Sequence, residues 1–207
     1  MAKPELVLLH APSNYDFRER SIVYGPISDV IPSTPVFEMY PIGFISIAGY
    51  LEKSGIPTRI VNVANRMLTE RGFNVERFLT KLHPLAFGID LHWLPHAQGS
   101  LELARVVKKL HPSIPVIIGG LSATYFHREL IEYPQVDFVM RGDSTEEPML
   151  QLMRRIESGA PVDDVPNLSW KDGQGVAHHN ALSYVPTITF QRRLDGLLDV
   201  HISPALS

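Results

Sequence analysis

Short, uninterrupted apolar runs alternate along this chain with longer stretches in which apolar residues recur every three or four positions. Leu6 to Leu9 is such a run and reads as a strand buried on both faces. Arg59 to Val63, Pro84 to Ile89, Val116 to Ile118 and Phe138 to Met140 read as four further strands. Between them, Ile42 to Ser54 places Phe44, Ile45, Ile47, Ala48 and Leu51 at helical spacing, with Gly55 as the stop. Short helical patterns follow at Val75 to Leu82 and Leu101 to Leu110. Met149, Leu150, Leu152, Met153 and Ile156 line one side of a helix that ends at Gly159. Residues 66–71, with Arg66, Glu70 and Arg71, read as a polar connection. Residues 11–41 read as irregular, because Pro12, Pro26, Pro32, Pro35 and Pro41 rule out a long helix.

Strands that alternate with helices predict an α/β fold with a parallel, doubly wound sheet. The expectation is a flavodoxin-like five-stranded sheet in the order 2-1-3-4-5. After Pro161 the pattern changes, and Asn167–Trp170, Lys171–Gly175 and Val176–His179 read as a β-hairpin around a glycine-containing turn. This divides the chain into a Rossmann-type domain over 1–160 and a hairpin extension with connector over 161–207. The loop over 13–40 is expected to be the mobile part of any site, or else an arm through which two copies pack as a homodimer.

Parallel sheets of this kind bind ligands at the carboxyl ends of their strands. The stretch that matters most there is Val116-Ile-Ile-Gly-Gly-Leu-Ser-Ala-Thr124, answered by Val136-Asp-Phe-Val-Met-Arg-Gly-Asp143. Gly119 and Gly120 stand where a strand hands over to a loop, a place for a positive φ or for close approach of a ligand to the main chain. Ser122, Thr124, Ser144 and Thr145 are candidate N-caps for the helices that follow. Composition narrows the classes. A net charge of −3 over 207 residues argues against nucleic acid as partner. No apolar run approaches a membrane span, and the N-terminus lacks a signal-peptide pattern, so a cytoplasmic location is expected. With no cysteine, the chain itself offers no disulfide, no thiolate metal site and no iron–sulfur ligation.

The ordered set Pro41-x-Gly43, Gly49-Tyr-Leu-Glu-Lys-Ser-Gly55, Gly88-Ile-Asp90, Pro115-Val-Ile-Ile-Gly-Gly120, Val136 to Asp143 with Thr145-Glu146, and Val165-Pro-Asn-Leu-Ser-Trp170 resembles a known family. It is similar to the N-terminal cobalamin (vitamin B12)-binding domain of cobalamin-dependent radical SAM proteins, over roughly residues 4–180. The resemblance implies cobalamin as a small-molecule cofactor. It also implies a downstream radical SAM domain, absent from this chain, that binds S-adenosylmethionine and a [4Fe–4S] cluster through a CxxxCxxC motif. For the full-length protein it implies radical chemistry, often that of a methyltransferase; for this chain alone it implies binding without catalysis. Carried over residue by residue, the family's contacts fall on Pro12, Ser13 and Asn14 after the first strand and on Asp90, Leu91 and His92 after the third. They fall on Gly119, Gly120, Leu121 and Ser122 after the fourth, and Arg141 and Gly142 lie at the tip of the fifth. Asp143 stands where the family often has glutamate. Asp90-Leu-His92 shares D-x-H with the cobalt-ligating motif of other cobalamin proteins, but Pro95 replaces its glycine and the motif follows the wrong strand. No catalytic and no metal-ligating residue is therefore assigned.

Plainer readings stand beside these. Gly119-Gly120 can be a tight turn, Asp90 a cap, and Arg141 a structural partner of Glu146 or Asp143. His92, Trp93 and His96 can form a half-buried aromatic cluster, and His178 and His179, adjacent on a strand, point to opposite faces. A phosphoreceiver needs an acidic pair after the first strand and a lysine after the fifth, where this chain has His10 and Arg141. A dinucleotide enzyme needs G-x-G-x-x-G after the first strand, and a hydrolase needs G-x-S-x-G; neither is present. The alternative to a cofactor domain is a flavodoxin-like interaction or regulatory module that has lost its ligand.

Overall fold

The structure is a computed structural model that describes residues 5–19 and 42–183. Most of the expected loop 13–40 and the end of the expected connector lie outside the described residues. Five parallel strands form the body of the sheet: β1 (Leu6–His10), β2 (Thr58–Asn62), β3 (Ala86–Asp90), β4 (Val116–Gly119) and β5 (Phe138–Met140). Two antiparallel strands, β6 (Leu168–Lys171) and β7 (Ala177–His179), continue it beyond β5. The sheet is thus mixed and seven-stranded, in the order β2-β1-β3-β4-β5-β6-β7. This corrects the expected five-stranded sheet and its order 2-1-3-4-5, which omit the last two strands. The hairpin is not an appendage; it covers an edge of β5 that would otherwise present unpaired backbone groups.

Alternation along β1 sorts the core into two layers. Val7 and Leu9 join Phe87, Ile89, Val116 and Ile118 on one face, under α3 (Val75–Leu79), α4 (Ala97–Leu110), α5 (Leu121–Tyr125) and α6 (His127–Glu132). Leu6 and Leu8 join Ala86, Ile117 and Met140 on the other, under α1 (Ile42–Lys53) and α7 (Glu146–Ser158). Each of the larger of these side chains contributes about 1.5–3 kcal/mol on full burial, Ala86 less. β1 contributes to both layers, and all of its residues are buried.

The polar connection expected near Arg66 is instead α2 (Val63–Thr69). Asn62 caps it by accepting from the Asn65 N–H at 2.7 Å. The Arg66 guanidinium lies over Phe73 at 4.1 Å and Phe78 at 4.4 Å, which draws a charged residue onto the core rim. α7 ends as expected at Gly159, in the left-handed region with φ 67°. Among the described residues no helix is long and apolar enough to cross a membrane.

Candidate functional site

The loops after β1, β3 and β4 meet at the carboxyl edge of the sheet, and hydrogen bonds lock each to the next. Gly99, near the start of α4, donates its N–H to the Ser13 carbonyl at 3.2 Å. Gln98 accepts from the Tyr15 N–H at 2.7 Å and donates back to the Tyr15 carbonyl at 3.2 Å. A Cβ on Gly99 would stand 1.7 Å from the Pro12 carbonyl oxygen, so only glycine lets α4 lie against this loop. The loop holds Ser13 3% exposed, with a buried hydroxyl that has no hydrogen-bond partner. Pro12 is buried beside it and Asn14 is half-buried.

At the end of β3, Asp90 is buried and accepts from His10 Nδ1 at 3.0 Å on each carboxylate oxygen. Its role is to hold a histidine on the neighbouring strand, not to cap the next segment. The His10 ring stands 5.4 Å from that of His96, whose Nδ1 donates to the Ala11 carbonyl at 3.2 Å. The expected cluster of His92, Trp93 and His96 is therefore split. His96 turns inward to His10, whereas Trp93 is 67% exposed with the His92 ring against its edge.

The carbonyls of Leu91 and His92 cap α5. The Ala123 N–H donates to Leu91 at 3.1 Å, and the Ser122 N–H and hydroxyl donate to His92 at 3.3 and 3.0 Å. Ser122 is thus not the N-cap expected from sequence; that position is Gly120, with φ 119°. A Cβ on Gly120 would meet the Leu91 carbonyl oxygen at 2.7 Å and the His92 nitrogen at 2.8 Å. Gly120 serves close packing of two loops. Gly119 is the position with room, since its nearest atom across the gap is the Met140 carbonyl oxygen at 3.6 Å. Leu121 projects outward, 53% exposed.

Thr124, also expected as a cap, instead ties the β4 and β5 loops together. Its hydroxyl donates to the Gly120 carbonyl at 2.9 Å and accepts from the Gly142 N–H at 2.9 Å. Thr145 occupies the N-cap position of α7 but makes no side-chain cap bond. Arg141 pairs with neither Glu146 nor Asp143. Its buried guanidinium donates to the carbonyls of Asn167 and Leu168, each at 3.3 Å, and to that of Asn180. Burial pulls its pKa below the ordinary arginine value. Asn167, at φ 64°, returns a carbonyl to the Arg141 N–H at 2.9 Å. The Asn-Leu-Ser-Trp segment thus fastens the hairpin to the sheet, and Asp143 is exposed at the loop tip.

Sequence reasoning missed Gly99 and the packing of His10 between Asp90 and His96, none of which carries a local signal. Among the described residues no group of three or more histidines or carboxylates can hold a metal ion. The observations that fit a bulky polar cofactor are the orphaned Ser13 hydroxyl, the gap at Gly119 and, on the same edge, the buried Glu146 with one unbonded carboxylate oxygen.

Comparison with known proteins identifies the family and the fold. The family model of the B12 binding domain matches residues 29–150, more than half of the chain. Cytidylyl-2-hydroxyethylphosphonate methyltransferase of Streptomyces wedmorensis is 24% identical over 151 residues, which is 66% of this chain and 28% of that protein. Hopanoid C-3 methylase of Methylococcus capsulatus is 24% identical over 145 residues, 69% of this chain and 27% of that protein. The chain therefore spans less than a third of the length of these relatives. The solved radical S-adenosylmethionine methyltransferase TsrM of Kitasatospora setae, with cobalamin and a [4Fe–4S] cluster bound, superposes with a TM-score of 0.64 at 16% identity. That match covers 89% of this chain and 30% of TsrM. The cobalamin-dependent radical enzyme OxsB, with aqua-cobalamin and S-adenosylmethionine bound, gives 0.57 at 14% identity, over 88% of this chain and 23% of OxsB. On the strength of the family match, this chain belongs to the B12-binding domain family.

Proposed function

We propose that this chain holds cobalamin at the carboxyl edge of β1, β3 and β4, and that it does so as one part of a larger radical SAM enzyme. The observation that carries the reading is three loops at one sheet edge, each bonded to the next, with a buried, unbonded Ser13 hydroxyl in the first and, in the third, Gly119, where a side-chain atom would meet only ordinary contacts. Ser13, Asn14, Leu91, His92, Gly119, Leu121 and Ser122 would surround the cofactor. Gly120, Gly142 and Arg141 would act by fixing the loops, and Asp90 by fixing His10. When bound, cobalamin supplies a redox-active cobalt centre that can carry an alkyl group.

The chain's own residues position and shield. Trp93 and Leu121 are exposed at the edge, where apolar surface excludes water from a cofactor face. S-adenosylmethionine and a [4Fe–4S] cluster belong in this reading to a radical SAM domain outside these residues, because a cluster is normally held by cysteine thiolates and none is present. Residues 161–207 would then lead toward that domain, and methyl transfer is the activity proposed for the whole. The test is to incubate the purified chain with hydroxocobalamin and pass it through gel filtration. Stoichiometric visible absorbance eluting with the protein supports the reading, and a colourless protein from high micromolar ligand refutes it.

A further inference from the structure

Two adjacent carboxylates open α7, and only one is fully bonded. Glu147 accepts from the Tyr50 hydroxyl at 2.6 Å and from Gln151 at 3.0 Å. That first bond, with burial, raises the Tyr50 pKa to about 12. Glu146 lies deeper, 8% exposed. Its Oε1 accepts from the Ser46 hydroxyl of α1, and its Oε2 is buried with no hydrogen-bond partner. A buried, unbonded carboxylate oxygen destabilises the chain that carries it unless something else supplies a donor.

Strand alternation shows which surface this oxygen shares. Gly119 has the parity of Ile117, which packs in the layer under α1 and α7 together with Met140, Met149 and Leu150. The gap left by the missing Gly119 side chain is bordered by Met140 of that layer, its Cβ 3.9 Å away. His10 and Asp90 have the parity of Leu8 and Ala86, which belong to the same layer. On one face of the sheet, at its carboxyl edge, the fold thus gathers a gap at Gly119, a histidine–aspartate pair and Glu146 with its supporting serine.

We propose that Glu146 Oε2 accepts a hydrogen bond from a neutral N–H or O–H donor on the part of the cofactor that enters between the sheet and helices α1 and α7. Ser46 is the positioning residue that turns the carboxylate to this duty. The inference rests on the cobalamin reading given above. Cobalamin offers this chemistry from two sources: the carboxamides around its corrin and the hydroxyl groups of its nucleotide tail.

The experiment measures dissociation constants of the full 207-residue chain by spectrophotometric titration with hydroxocobalamin and with cobinamide, which keeps the carboxamides and lacks the nucleotide. Glu146→Met removes the acceptor and the orphaned charge at similar volume. It should melt no lower than the unaltered chain yet bind hydroxocobalamin at least tenfold more weakly. Glu146→Gln, whose amide can still turn an oxygen to the ligand, should stay within about threefold. Equal weakening toward cobinamide assigns the donor to a corrin carboxamide; weakening toward hydroxocobalamin alone assigns it to the tail. Should Glu146→Met fail to fold, Ser46→Ala carries the test. It should weaken binding by the folded chain severalfold, with Ser46→Thr restoring it, whereas loss of a merely structural serine would lower the melting temperature and leave both ligands' affinities for the folded chain unchanged. Binding by a folded Glu146→Met, or by Ser46→Ala in its place, within twofold of the unaltered chain overturns the inference while leaving the cobalamin reading intact. Failure of the unaltered chain to bind overturns both.

Discussion

Replacing Gly99 with alanine tests whether α4 clamps the loop after β1. The added methyl would lie 1.7 Å from the Pro12 carbonyl oxygen and 2.8 Å from its carbon, both backbone atoms that no side-chain rotation can move aside. Relief to an ordinary contact requires a displacement on the order of 2 Å. Overpacking of this kind costs about 1–3 kcal/mol. Losing the Gly99 N–H to Ser13 carbonyl bond adds about 1 kcal/mol. The better helix propensity of alanine returns up to about 1 kcal/mol. The expected net loss is about 1–3 kcal/mol, read as a lower urea midpoint with unchanged slope. Gly49→Ala is the control. It lies within α1 with nothing within 4 Å of its Cβ position, so it should hold or raise the midpoint. Because Gly99 also sets the Ser13 carbonyl, the variant should bind hydroxocobalamin more weakly even at temperatures where it is fully folded. A Gly99→Ala chain as stable as Gly49→Ala would refute the clamp.

The two strand-end glycines should separate. Gly120→Val, at φ 119° and against the Leu91 and His92 backbone, should lower stability as well as binding, whereas Gly119→Ala should leave the urea midpoint within error and weaken cobalamin binding only. Arg141→Ala removes a side-chain donor from three carbonyls, although Asn167 keeps the Arg141 N–H and Leu168 the Asn180 N–H, and should cost about 1–3 kcal/mol, with hydrogen exchange rising first in β6 and β7. His127 donates to or accepts from the Ser169 hydroxyl at 2.9 Å, and burial, then the Arg141 charge, lowers its pKa from 6.5 to about 4. A depressed folded pKa means that protons favour the unfolded chain. Stability should therefore fall as pH drops from about 6.5 toward 4, and His127→Gln should flatten that slope in urea titrations.

Strands β1, β3 and β4 were legible because burial on both faces leaves an unbroken apolar run, and α1 and α7 because each shows one apolar stripe. α2 was not, since Asn65 and Arg66 read as polar and only the approach of Phe73 and Phe78 draws Arg66 inward. The hairpin was visible in its turn residues, but its pairing with β5 depends on the carbonyls that Arg141 collects from residues 26 to 39 positions away. The glycine pair after β4 is plain in the sequence, but what a side chain would meet at each member, backbone at Gly120 and ordinary contacts at Gly119, is set by residues distant along the chain. His10 and Asp90 are 80 residues apart, and no local pattern announces their bond.

The most direct measurement is a ¹H–¹⁵N shift map of the chain titrated with hydroxocobalamin. The account predicts that the amides of Ser13, Leu91, His92, Gly119 and Ser122 move together and saturate at one equivalent, while those of the β6–β7 turn stay still. Saturable binding that shifts the hairpin turn and leaves those loop amides in place would contradict it.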